Sequence, residues 1–226
     1  MEAIDHGYGI MQFRDALSLN SEFASKWVDR RRQTAMSEAE RQADGSFKSW
    51  GGDVYSKASA DTSPERFIDL ESGATEDELQ FNAFLSKAAD ECMHSYVDHY
   101  PESRWSIWWK SRGHIAVYHQ GAFLGYHHDQ RVGKLARGKG LQWERGIFHV
   151  VTAVLIVEQN CSGGRIGFKY IDKDFDSEPG TCWLYPTGYL GTHRVSEVQG
   201  GRRTVYLEYF GHGTIEGPKP FTHKER

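Results

Sequence analysis

The sequence predicts an α+β chain in which helices come first and a β sandwich or barrel follows. Two observations lead there. Residues 17–42 and 75–98 place apolar side chains at mixed three- and four-residue spacing without Gly or Pro, as amphipathic helices do. From Trp105 onward, short apolar or aromatic segments alternate with clusters of Gly, Asp, Asn and Pro, as in sandwiches and barrels. A chain of 226 residues with 13% aromatic content fits one domain. Its parts are a mainly helical stretch 1–104, a β core 105–210 and a polar tail 211–226.

Thr75 and Glu78 form a capping-box pattern that opens the second helix, and Pro101 follows its end. Between the helices, residues 44–66 are rich in Gly, Ser, Asp and Lys and read as a loop. Strands are expected near 105–110, 114–119, 123–129, 148–157, 165–170, 181–185, 190–198 and 203–210. Segment 148–157 (FHVVTAVLIV) is apolar on both faces, so it belongs at the centre of a sheet covered on both sides. Residues 131–146 (RVGKLARGKGLQWERG) form a long basic connection, which reads equally as a lid or substrate grip and as a solvated loop. Trp105, Trp108, Trp109 and Trp183 are expected in the core.

A net charge of −4 supplies no basic field, and no nucleic-acid partner is evident. Cys92, Cys161 and Cys182 are widely spaced and form no CxxC pair, which suits a reducing compartment. Met1–His6 lack the basic and apolar regions of a leader, and no apolar run reaches membrane-span length. The expectation is a soluble, cytoplasmic protein with no membrane partner.

His127 and Asp129 lie two apart in an expected strand, so both side chains leave the same face and can meet one metal ion. With 11 His and 31 acidic residues, roughly one or two such pairs arise by chance; His223 and Glu225 are read as one. His128 points to the opposite face. His114, His119, His149 and His212 have no acidic residue two positions on and are read as structural.

The order of motifs around this pair resembles the prolyl 4-hydroxylase-like family of Fe(II)/2-oxoglutarate oxygenases over roughly residues 114–210. The similar pieces are AVYHQGAFLGYHHD at 116–129, the apolar strand VTAVLIV at 151–157 leading to CSGGRIGF at 161–168, PGTCWLYP at 179–186, and HRVSEVQGGRR at 193–203. The resemblance implies a double-stranded β-helix (jelly-roll) core with an N-terminal helical layer. It implies iron held by His127, Asp129 and His193, with 2-oxoglutarate and O2 as cosubstrates and ascorbate as an optional reductant. Two imidazoles and one carboxylate on one face of the ion leave three positions open.

The family's basic residue stands ten positions after the distal histidine, where this chain has Arg203. Period two separates it from its neighbour: Arg203 shares a face with Val205, Leu207 and Tyr209, and Arg202 with Thr204, Tyr206 and Glu208. Arg203 is therefore expected inward, where a guanidinium requires an anion, and Arg202 on a solvated face. Tyr118 matches a family tyrosine that touches the cosubstrate. Segment 152–157 lacks the tyrosine that some members use as a second contact. Asp129 favours hydroxylation over halogenation, since related halogenases carry a small residue there.

The resulting expectation is a hydroxylase of an aliphatic C–H, with a prolyl residue in a peptide as leading substrate and a free amino acid or small metabolite as the alternative. Two other classes stand beside it: a cupin-like metal enzyme such as an isomerase, and a non-catalytic jelly-roll binding module.

Overall fold

Segment 148–157 lies inside a sheet between two other strands, and its two apolar faces are covered by separate cores. The computed structural model describes residues 1–41, 55–57, 62–67, 70–130, 135–138, 140–143, 148–212 and 219–224. In chain order the elements are β1 (Glu2–Asp5), β2 (Met11–Arg14), α1 (Ser21–Arg41), β3 (Tyr55–Lys57), β4 (Glu65–Phe67) and α2 (Glu76–His99). A 3-10 turn at Pro101–Ser106 leads to β5 (Trp109–Lys110), β6 (His114–His119), β7 (Leu124–His127), β8 (Leu135–Gly138), β9 (Gly140–Trp143) and β10 (Phe148–Gly163). Then come β11 (Ile166–Phe168), β12 (Lys173–Phe175), β13 (Cys182–Pro186), β14 (His193–Val195), β15 (Val198–His212) and β16 (Lys219–Pro220).

The larger sheet runs β1-β2-β13-β10-β15-β6-β4-β3, with β5 on β15 and β16 on β5; the smaller runs β12-β11-β14-β7. Period two sorts the larger sheet into two faces. Val151, Ala153, Leu155, Cys182, Leu184, Tyr206 and Phe210 join one core with Trp27 and Val28 of α1 and Leu85, Ala89 and Met93 of α2. Val154, Ile156, Trp183, Tyr185, Val205 and Leu207 join a second core with Ile166, Phe168 and Val195 of the smaller sheet. Each fully buried large apolar side chain favours the folded state by about 1.5–3 kcal/mol, so both faces contribute.

Local chemistry sets the helix ends. Asn20 Oδ1 accepts from Phe23 N at 3.0 Å, so α1 starts at residue 21 and not at 17. Thr75 and Glu78 close the capping box at α2. The same Glu78 is buried and accepts from Arg31 Nη2 at 2.8 Å, which ties α2 to α1.

Several expectations are corrected. Residues 1–104, expected to be mainly helical, also carry strands that the sequence reading did not name: β1 and β2 add an edge to the larger sheet, with Ile10, Met11 and Phe13 buried. Within 44–66, Tyr55–Lys57 is a strand, and β4 (Glu65–Phe67) starts within it and pairs with β6; residues 44–54 and 58–61 lie outside the described residues. In 105–110 only Trp109–Lys110 is a strand, because Pro101 opens a 3-10 turn there. Trp105 and Trp108 are 78% and 57% exposed, and Trp109 is half-buried; of the four tryptophans only Trp183 is fully in the core. The stretch 190–198 is split into a turn, β14 and the start of β15.

The expected polar tail is partly packed: Lys219 and Pro220 pair with β5, Phe221 is buried against Phe210, and His223 Nε2 donates to Ile107 O at 2.7 Å. Residues 213–218 and Glu225 lie outside the described residues. The connection 131–146 contains an antiparallel hairpin of β8 and β9; residues 131–134, 139 and 144–146 lie outside the described residues.

Candidate metal and anion site

Strands β7 and β14 are antiparallel neighbours, with His127 and His193 as directly facing partners. Their rings stand 4.2 Å apart, centre to centre. Asp129 lies two residues on, past the end of β7, which stops at His127 and not at 129, and its Oδ1 lies 3.6 Å from His127 Nε2. One ligand atom from each of the three residues falls within 4.8 Å of the others. This spacing suits convergence on one ion.

Hydrogen bonds fix how each group is presented. His127 Nδ1 donates to Gly125 O at 2.8 Å and His193 Nδ1 donates to Gly191 O at 2.9 Å. A carbonyl only accepts, so both neutral rings carry the proton on Nδ1 and present a bare Nε2 lone pair to their shared centre. Burial pushes the His193 pKa down to about 4, keeping it neutral and able to ligate. Burial alone would raise the Asp129 pKa, but the two imidazoles, which become charged in the acid range where a carboxyl titrates, and the Thr152 hydrogen bond outweigh it, so the carboxyl sits below its ordinary value.

Arg203 is the most unusual side chain of the interior. It is 1% exposed, and its Nε and Nη2 have no hydrogen-bond partner among the described residues. Its guanidinium carbon lies 5.3 Å from the ring centre of Tyr118, its cross-strand partner on β6. A buried guanidinium with unfilled donors is costly unless an anion reaches it. At Gly164, φ is +60° and a Cβ would stand 2.9 Å from Arg203 Cδ, so the glycine leaves the room this side chain fills.

Arg203, Tyr118, His127, Asp129 and His193 therefore line one narrow cavity. Its other walls include Leu124, Val154, Ile166, Val195, Val205 and Leu207. His193 is buried and His127 half-buried, so the open side lies next to His127.

Three groups in or behind the cavity wall escaped the sequence reading. Thr152 Oγ1 donates to Asp129 Oδ2 at 2.8 Å, and the Tyr185 hydroxyl lies 3.3 Å from that oxygen and 3.2 Å from His193 Nε2. Alternation along β13 from Trp183 would have placed Tyr185 inward. Arg66, on β4, faces Ala116 across the sheet and lines the same cavity; reading its segment as a loop hid it.

Arg202 is a correction. Its side chain is 19% exposed and bonds Asp29 and Ser25 Oγ (3.0 Å) of α1, with Glu158 Oε1 at 2.8 Å. Period two assigned its face correctly, but that face is covered by a helix and not by water. His128 is exposed, and His119 Nε2 bonds Glu65 Oε2 at 3.1 Å.

Solved structures share this architecture. A Pseudomonas putida prolyl-4-hydroxylase superposes with TM-score 0.53 at 16% identity, covering 91% of this chain and 93% of that one. A prolyl hydroxylase from Trichoplax adhaerens, in complex with a peptide fragment of the hypoxia inducible factor oxygen degradation domain, superposes with TM-score 0.55 at 15% identity, covering 90% and 84%. The chain has the fold of the prolyl hydroxylases. A viral collagen prolyl hydroxylase from Paramecium Bursaria Chlorella virus-1 agrees, with TM-score 0.52 at 11% identity over 93% and 91%. No protein-family model and no curated protein sequence matches the chain. The prolyl hydroxylase fold positions the cavity; the chemistry rests on the side chains in it.

Proposed function

We propose that the protein is an Fe(II)- and 2-oxoglutarate-dependent dioxygenase that hydroxylates an aliphatic C–H, on a double-stranded β-helix core with a helical layer over the larger sheet. The observation that carries this reading is the buried, unfilled guanidinium of Arg203 in the same cavity as His127, Asp129 and His193. A cupin-like isomerase gives no reason to bury it, and a non-catalytic module gives none for setting it beside His127, Asp129 and His193.

His127 Nε2, Asp129 Oδ1 and His193 Nε2 would hold the iron, a donor set suited to Fe(II) with open positions. When bound, iron with 2-oxoglutarate and O2 supplies the oxidising power for hydroxylation, with succinate and CO2 as coproducts. The chain's task is placement. Arg203 would bind the far carboxylate of 2-oxoglutarate through two donors, with the Tyr118 ring supporting its guanidinium. The apolar walls exclude water from the reacting centre.

A prolyl residue in a peptide is the leading substrate, since the Trichoplax adhaerens protein of the same fold holds a peptide. A free amino acid or small metabolite is the second reading, favoured by the positive charge that Arg66 places on the cavity wall. The test is succinate formation from 2-oxoglutarate by the Fe(II)-loaded protein, with prolyl peptides and free amino acids as candidate stimulants. Stimulation is expected from one class; no succinate under any condition overturns the proposal.

A further inference from the structure

Asp129 Oδ2 faces two hydroxyls, Thr152 Oγ1 at 2.8 Å and the Tyr185 hydroxyl at 3.3 Å, while Oδ1 faces His127. We propose that Tyr185 is a positioning residue of the metal site: with Thr152 it occupies Oδ2 and commits Asp129 to the metal through Oδ1 alone. This rests on the metal assignment made above and deepens it.

The argument is one of lone pairs. An ionised carboxylate oxygen accepts about two hydrogen bonds. Two donors at Oδ2 fill it, and a carboxylate that chelated the metal through both oxygens would have to release them. Chelation would also take one of the three positions that a bidentate cosubstrate and O2 require.

The second contact of Tyr185 explains how the site stands ready before metal arrives. Its hydroxyl is 3.2 Å from His193 Nε2, whose Nδ1 proton is given to Gly191 O, so Nε2 can only accept. The phenol has one proton for two acceptors. Without metal it can serve His193; once Nε2 takes a metal, the proton is left to Asp129 Oδ2. Tyr185 is 1% exposed and held by Phe168, with ring centres 5.2 Å apart, so its hydroxyl has little freedom to go elsewhere.

The variants are Tyr185→Phe, Thr152→Val and the pair together; the first keeps the ring and its packing. Co(II) is the probe, because its visible absorption changes with coordination number, and 2-oxoglutarate binding to the Co(II)-loaded protein is titrated beside it. In the double variant we expect a changed Co(II) spectrum, unchanged or tighter Co(II) binding, and 2-oxoglutarate binding weakened at least about tenfold. Tyr185→Phe alone should move in the same direction by less. An unchanged spectrum with unchanged 2-oxoglutarate affinity overturns the proposal, as does parallel loss of Co(II) and 2-oxoglutarate binding. If the wild type binds Co(II) but not 2-oxoglutarate, the dioxygenase reading fails, and the Co(II) spectra of the variants still decide the role of Tyr185.

Discussion

At the scale of single residues, Arg203 separates what stability wants from what function wants. Its buried Nε and Nη2 have no hydrogen-bond partner among the described residues, so an apolar replacement of similar volume removes a desolvated charge without orphaning another group. Arg203→Met is therefore expected to leave stability unchanged or to raise it by about 1–4 kcal/mol, read by urea denaturation without 2-oxoglutarate. The same change should weaken 2-oxoglutarate binding by about 2–5 kcal/mol, since it deletes a buried charge-assisted pair. A destabilised variant with normal cosubstrate affinity would reverse the assignment. His127→Ala leaves two ligands of three, and Fe(II)-dependent succinate formation should vanish.

At the scale of elements, two ion pairs dock α1 onto the sheet. Arg202 reaches Asp29 and Ser25 of α1 and bonds the buried Glu158 of β10. Arg202→Ala strands part of that carboxylate and should cost about 1–3 kcal/mol in denaturation experiments, while 2-oxoglutarate affinity stays within a few-fold of wild type. A large loss of cosubstrate affinity would mean that the two arginines had been assigned to the wrong faces. Glu65 forms the second link, accepting from Arg32 Nε at 2.7 Å and from His119.

Burial by itself would raise the Glu65 pKa, but the bonds from His119 and Arg32 and the Arg32 charge outweigh it and bring the value from 4.5 to about 2. A depressed carboxylate stabilises the fold above its ordinary pKa, and that stabilisation fades as pH falls from 4.5 toward 2. Glu65→Gln should flatten the loss of stability in this window, measured by denaturation at stepped pH. An identical slope would remove Glu65 from the acid response.

At the scale of the whole molecule, His127 and His193 come from two strands and stand 66 positions apart, with Asp129 just past the end of β7, so only the folded chain assembles the three candidate ligands. Mn(II), as a redox-silent stand-in, should therefore raise the melting temperature. A ligand present at 100 times its Kd adds about 2.7 kcal/mol. The rise should grow when 2-oxoglutarate is added and be absent in His193→Ala. A shift of equal size in that variant would place the ion elsewhere.

The sequence by itself determined what depends on period and spacing. It placed Arg203 inward and opposite to Arg202, 148–157 in the centre of a sheet, and the Thr75 cap, because each follows from the local geometry of a strand or a helix end; the strand expected to carry both His127 and Asp129 stops at His127. Only the tertiary structure decided what lies against each face. It put α1 over Arg202 where water was expected, exposed Trp105 and Trp108, and drew β4 with Arg66 to the cavity wall. It also brought Tyr185 and Thr152 to the far oxygen of Asp129. Period tells which way a side chain points, whereas its neighbours come from strands distant in sequence, and their register is set only when both cores pack together.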